Sequence, residues 1–307
     1  GTSTYLFIHD KIREIVWMDL SLARRRMLHL RAAHLLQAGW GGDENPNVAQ
    51  VATHYEAAGE VNAAVMAWLA AARHALWLFS HKEAEGAFQR AENLVRIHGS
   101  RLPDETILCL YSTWGFFSNQ ATNLKEAQRI FTTLLSIGEQ RRNRILMGVA
   151  YTGLAQYHHQ VAEMDRALNA ANQAVLLLEN LPDLFERANA LYTRGSIFVI
   201  FSQFRNARQD LETVLSITAD ATDANTSEIR ALSESLLAII YNLQGLPIQA
   251  EQLASQARGA AKKIQSPFAE SNALVSLVMS NFYQFKYNET IQLVEEGIQF
   301  SQAHQIW

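Results

Sequence analysis

His158-His159 is the densest pair of metal-capable side chains in the sequence. Neighbouring residues on a helix project about 100° apart, so two adjacent imidazoles there cannot grip one ion. His29 and His34, five positions apart, are also poorly aligned, and no His-Glu-x-x-His zinc motif occurs. Carboxylate pairs such as Glu295-Glu296, or Glu83 with Glu85, fall on faces that should meet water rather than share a proton. Cys109 is the single cysteine, which excludes a disulfide framework and a thiolate metal cluster and fits a reducing cytosol. No nucleophile is spaced to meet a base. These residue types predict packing and capping roles, no catalytic group, no metal and no cofactor in this chain. Trp68, Trp77 and Trp114 are expected in the core.

Two further stretches invite a phosphate reading. Arg24-Arg25-Arg26 with Arg31 forms the one dense basic run, but the net charge of −4 gives no general attraction to nucleic acid. The run is read as a solvated or domain-contacting helix face. Ala38-Gly39-Trp40-Gly41-Gly42-Asp43-Glu44-Asn45-Pro46 is a glycine-rich break, yet no Gly-Lys-Ser/Thr follows and no strand precedes it, so it is a joint and not a phosphate cradle. No apolar run is long enough for a membrane helix. Neither a direct nucleic-acid partner nor a membrane is expected, and a cytoplasmic location is.

The elements behind these residues repeat. In residues 142–181, Tyr151, Leu154, Ala155 and His158 share one helical stripe, and Ala167, Ala171, Ala174 and Leu178 share another. Ala155 and Ala167 are small enough to let the two helices cross closely, at about 8–10 Å. The same twelve-residue offset recurs as Ala72/Ala84, Gly115/Ala127, Gly195/Ala207, Ala238/Ala250 and Val278/Thr290, with second members 43, 40, 40, 43 and 40 residues apart. A fixed period of this size marks a helical solenoid, in which one hairpin cannot bury its apolar face without a stacked neighbour. With no convincing period-two alternation, the chain is predicted all-α. Helices are expected over 47–58, 60–78, 81–98, 104–120, 123–141, 143–161, 164–180, 183–202, 204–218, 225–244, 247–264, 267–285 and 287–304. All five prolines fall at expected helix starts, where the missing N–H costs nothing. Two more helices are expected within 4–36, the second capped by Ser21.

Tyr111, Trp114, Gly115, Ala127 and Phe131, then Tyr151, Leu154, Ala155, Ala167 and Ala174, then Ala250, Ala254 and Ala257 resemble the tetratricopeptide repeat. The period of about 40 is longer than that family's usual 34 and is more like the tetratricopeptide-like superhelices of bacterial signalling regulators. The resemblance implies a right-handed superhelix of stacked antiparallel hairpins whose first helices line a concave groove. On that geometry the inner row is Cys109, Ser112, Phe116 and Asn119; Thr152, Gln156 and His159; Asn189, Tyr192 and Ser196; Ser235, Ile239 and Asn242; then Asn272, Val275, Met279 and Phe282. The row has no lysine or arginine, so a clamp for a peptide carboxylate is not expected. It suits a neutral small-molecule effector, a helix of a protein partner, or a second copy of the chain.

A second resemblance lies upstream. Phe7-x-His9-Asp10-x-Ile12-Arg13-Glu14-x-Val16-Trp17, then Leu20-Ser21-x-x-Arg24-Arg25-x-x-Leu28-His29, resembles the end of the winged-helix module in STAND-type signal-transduction ATPases. Val51-Ala52-x-His54-Tyr55-x-x-Ala58-Gly59 is similar to the region that joins their nucleotide-binding core to a helical-repeat sensor. That class includes multidomain bacterial regulators with LuxR-type or SARP-type DNA-binding domains. The resemblance implies that residues 1–38 end a winged-helix module and linker, and that residues 46–307 are a repeat sensor acting on an ATPase switch. ATP or ADP would then belong to the parent protein, where His9 would reach the nucleotide phosphates. Repeats would continue beyond Trp307. A free-standing tetratricopeptide adaptor that scaffolds complexes is the alternative expectation.

Overall fold

The computed structural model describes residues 10–38, 46–78, 80–120, 123–181 and 184–304, with the side chains of residues 10–13 left aside. His9 and the glycine-rich break at 39–45 lie outside the described residues, as does Pro182. The described residues form fifteen α-helices and no strand. The chain is all-α, with helices packed in consecutive pairs in the tetratricopeptide manner.

Two compact units divide the chain at Trp114 and Gly115. The first holds α1 (Asp10–Asp19), α2 (Leu22–Ala38), α3 (Val48–Ala58), α4 (Val61–Trp77) and α5 (His81–His98), then a short 3-10 turn (Gly99–Arg101). Helix α6 (Asp104–Gln120) carries the division within it. The second unit continues with α7 (Leu124–Arg141), α8 (Arg144–Gln160), α9 (Met164–Leu178), α10 (Leu184–Ile200) and α11 (Phe204–Ile217). It ends with α12 (Ala224–Leu243), α13 (Pro247–Lys263), α14 (Pro267–Tyr283) and α15 (Tyr287–His304).

Local chemistry accounts for the boundaries. The Asn143 side chain accepts from the backbone N–H of Ile145 and Leu146, at 2.8 and 3.1 Å, and so starts α8. Asp223 accepts from the Thr226 N–H at 2.8 Å to start α12, and Ser266 from the Ala269 N–H at 3.2 Å to start α14. Ser21 receives the Arg24 N–H at 3.3 Å, as its type and place predict. Pro247 and Pro267 occupy the first positions of α13 and α14. Each hairpin of the second unit turns through one left-handed residue: Ala162, Ser202, Gly245 and Phe285, with φ of 61°, 56°, 77° and 60°. Only Gly245 adopts that region without steric cost.

The core follows the small crossing residues. Ala155 and Ala167 share one buried cluster, Ala238 and Ala250 another, and Ala72, Ala84, Ala127 and Ala207 are fully buried. Phe131 of α7 shows the closest fit. A Cβ added at Gly115 or Gly153 would lie 2.5 or 2.2 Å from its ring, so the two glycines make room for an aromatic that is 0% exposed. Trp68 and Trp114 are core as expected, but Trp77 is 74% exposed. It is the last residue of α4, turned out to stack on His74 at 6.1 Å, because the helix ends before another element can cover it.

Candidate functional site

In the second unit the first helix of each hairpin lies against the first helix of the next: α8 on α10, α10 on α12, α12 on α14. Among the described residues no comparable packing joins α9 to α11 or α11 to α13. The first helices therefore stand closer together and form the inner side of the stack. This is the side on which the sequence places its candidate row.

The row divides into open and sealed positions. Phe116, Gln156, His159, Tyr192, Ser196, Ile239 and Met279 are half-buried, and Phe282 is exposed. Asn119, Thr152, Asn189, Ser235 and Asn242 are buried between helices instead of facing a groove, which corrects the expectation for those five. Four of the five are hydrogen-bonded there. The Asn119 amide donates to the Gly153 carbonyl at 3.3 Å, and the Thr152 hydroxyl to the Gly148 carbonyl at 3.0 Å. The Asn242 amide donates to the Ser280 hydroxyl at 3.0 Å, and the Ser276 hydroxyl to the Ser235 carbonyl at 2.9 Å. Asn119 and Asn242 occupy the same register, four residues after the crossing Gly115 and Ala238. Gln156 bridges α8 to Thr193 of α10 at 3.3 Å while remaining half-buried. Asn272 and Val275 complete the row on α14, and Val275 is more than half exposed. Cys109 and Ser112 belong to the first unit, where the Ser112 hydroxyl donates to the Cys109 carbonyl at 3.5 Å.

The electrostatics of the open row are neutral. Burial pushes the His159 imidazole below its ordinary range, so it is uncharged at neutral pH. Burial, and then the nearby Glu228 carboxylate, push the Tyr192 phenol up to about 12. The residue is half-buried, and its hydroxyl is desolvated. His158, the neighbour of His159, points elsewhere and binds Glu163 at 2.7 Å, so the two imidazoles diverge. Glu163 also takes Arg166, and both contacts hold its carboxyl below the usual range.

Three features escape a sequence search. His29 and His54 meet through their Nδ1 atoms at 2.9 Å across α2 and α3, with Trp17 edge-on to His29. Burial first, and His54 second, lower the His29 pKa. The two histidines are 25 residues apart, and neither position signals the other. Among the described residues no group of three or more His, Cys, Asp or Glu could hold a metal ion. The second feature is the bidentate pair of Arg194 and Asp210, at 2.7 Å for both bonds, with the Asp210 side chain 8% exposed. The third is Thr193, buried two residues before Gly195, whose bond to Gln156 of α8 no spacing signals. No described helix is long and apolar enough to cross a membrane.

No family model matches the sequence, and no curated protein matches it. Solved structures do share its fold. A Rap protein complexed with competence and sporulation factor is 14% identical, over 91% of this chain and 77% of that one, with a TM-score of 0.60. A signal-transduction ATPase with numerous domains and a tetratricopeptide repeat sensor, from Pyrococcus horikoshii, is 15% identical over 96% of this chain and 49% of that one, with a TM-score of 0.54. The apo form of the quorum sensor NprR from B. thuringiensis is 14% identical over 95% of this chain and 77% of that one, with a TM-score of 0.53. At such identities the likeness is one of fold.

Proposed function

We propose that this chain is a non-catalytic recognition region that takes a neutral peptide segment or small effector along the inner row of its second unit. The carrying observation is the side-by-side packing of α8, α10, α12 and α14, with Gln156, His159, Tyr192, Ser196, Met279 and Phe282 open and uncharged between them. Aromatic and aliphatic side chains there offer apolar contact, while Gln156 and Ser196 offer hydrogen bonds to a peptide backbone. The similar folds of a Rap protein in complex with a signalling factor, and of a tetratricopeptide sensor within a STAND protein, support a sensing role. On this reading the chain is a cytoplasmic part of a multidomain bacterial signalling or transcription regulator, and occupancy of the row biases an ATPase switch. Such a bias requires the occupant to bind the two switch states with different affinity.

Panning a displayed library of random peptides against the chain tests the reading. Enriched peptides should lose binding to Gln156→Ala and Tyr192→Ala and keep it for Arg166→Ala on the outer helix α9. Enrichment indifferent to the inner row refutes the site. If inner-row peptides leave nucleotide turnover of the longer parent protein unchanged, the scaffolding adaptor replaces the switch.

A further inference from the structure

In the first unit α2 and α3 meet through a bond whose two ends are both histidines. The His29 and His54 Nδ1 atoms lie 2.9 Å apart, with ring centroids separated by 5.1 Å and planes tilted by 43°. A bond at that distance needs one N–H and one lone pair. One imidazole must therefore carry its proton on Nδ1 while the other presents a bare Nδ1. A single added proton leaves this arrangement intact, because the charged ring can still donate Nδ1–H to its neutral partner. A second added proton does not. Both nitrogens then carry hydrogen, both rings carry positive charge, and the bond becomes a repulsion.

The surrounding helices give that second charge no relief. Helix α2 has no aspartate or glutamate and brings Arg24, Arg25, Arg26 and Arg31. The one acid of α3 is Glu56, which accepts from the Trp68 indole N–H of α4 at 3.0 Å, and α4 has no acid of its own. On α1, Glu14 and Asp19 are exposed, and Trp17 meets the His29 ring at 5.2 Å. That indole already has a cation, Arg25, 5.9 Å over it. Burial first and His54 second act on His29, and both oppose its charge. The other bond between the two helices does not answer to acid. There the Tyr55 hydroxyl donates to Gln37 Oε1 at 2.6 Å, and burial, then Glu60, raise that phenol above its ordinary 10.0.

We propose that the His29–His54 contact is a proton-operated latch between α2 and α3, closed while the pair holds at most one added proton and opened when both rings are charged. The folded pair resists its last proton, and the opened chain does not. The latch therefore contributes in full above the ordinary histidine value of 6.5 and loses that contribution as pH falls below it. It makes the seating of α2 on the first repeat depend on pH within the range a histidine senses. No residue of the inner row takes part.

Hydrogen exchange along α2 tests the latch, in the parent chain and in His54→Gln, which keeps a polar partner for His29 but cannot take the second charge. Comparing the two at one pH cancels the pH dependence of exchange itself. At a pH of about 7.5 the two should match, and at about 5 the parent's α2 amides should exchange at least about threefold faster than the variant's. Helix α5 should show no such difference. Histidine NMR titration of the parent should show one ring of the pair charging below the ordinary value, and His54→Gln should return His29 toward it. The proposal fails if the parent-to-variant ratio for α2 is the same at both pH values, or if α5 loosens equally. It also fails, however the variant behaves, if the parent keeps its α2–α3 nuclear Overhauser contacts after both rings are charged.

Discussion

Gly153→Ala is a severe test of the packing, because two opposing effects act on one atom. Replacing an internal helical glycine by alanine normally stabilises by about 1 kcal/mol through backbone entropy. At Gly153 the new Cβ would stand 2.2 Å from the Phe131 Cε1 and Cζ, against an optimal separation of about 3.5–4.0 Å. The ring would have to retreat by more than about 1 Å. Its other side is already 2.5 Å from where a Cβ on Gly115 would be, and no part of it reaches solvent. Overpacking of this kind costs about 1–3 kcal/mol, here at the upper end because both directions are blocked. The net is a loss of about 2 kcal/mol, or about 4–8 °C in Tm for a unit of this size. Gly259→Ala, which meets nothing within 4 Å, should instead gain about 2–4 °C. Adding Phe131→Leu to Gly153→Ala should recover part of the loss, a favourable coupling readable in a double-mutant cycle by thermal and denaturant unfolding. A Gly153→Ala chain as stable as Gly259→Ala would refute the cradle.

Ala162→Gly should stabilise by about 0.5–1 kcal/mol, since Ala162 is held at a φ of 61° that alanine rarely adopts; urea unfolding measures it. Arg194→Met should destabilise by about 3 kcal/mol in the same assay, because it leaves the buried Asp210 carboxylate without its bidentate partner, and Arg194→Met with Asp210→Leu should restore most of that. The Tyr192 phenol has a folded pKa of about 12, above the ordinary value of 10.0. A raised acid favours the folded state below pH 10 and loses that contribution as pH climbs toward 12, so one tyrosine should ionise late by 295 nm absorbance, together with unfolding, and Tyr192→Phe should remove the late step.

The helices and their period were legible because alanine or glycine recurs at the crossings at a fixed twelve-residue offset. Ala155 with Ala167, and Ala238 with Ala250, sit where backbones must touch, and the polar joints between stripes placed the ends within one or two residues. What escaped was decided by partners far along the chain. Nothing about Phe131 alone says that glycines on two other helices flank it. His29 and His54 are ordinary residues until α2 and α3 are laid together. The expected inner row lies on the helices that pack first to first, and a face shared by neighbouring helices includes both seam and surface. Asn119, Thr152 and Asn242 went to the seam because a short polar side chain bonds the adjacent backbone before it can reach outward. Trp77 was misplaced for the opposite reason: it follows the apolar pattern at a helix end that nothing covers.

The contacts that α8, α10, α12 and α14 make with one another, and that α9, α11 and α13 do not, give the second unit a spine on one edge only. Bending that narrows the outer gaps leaves the Gln156–Thr193 and Ser276–Ser235 bonds intact, whereas spreading the inner edge breaks them one after another. A guest wedged between the first helices would therefore have to break or replace these bonds.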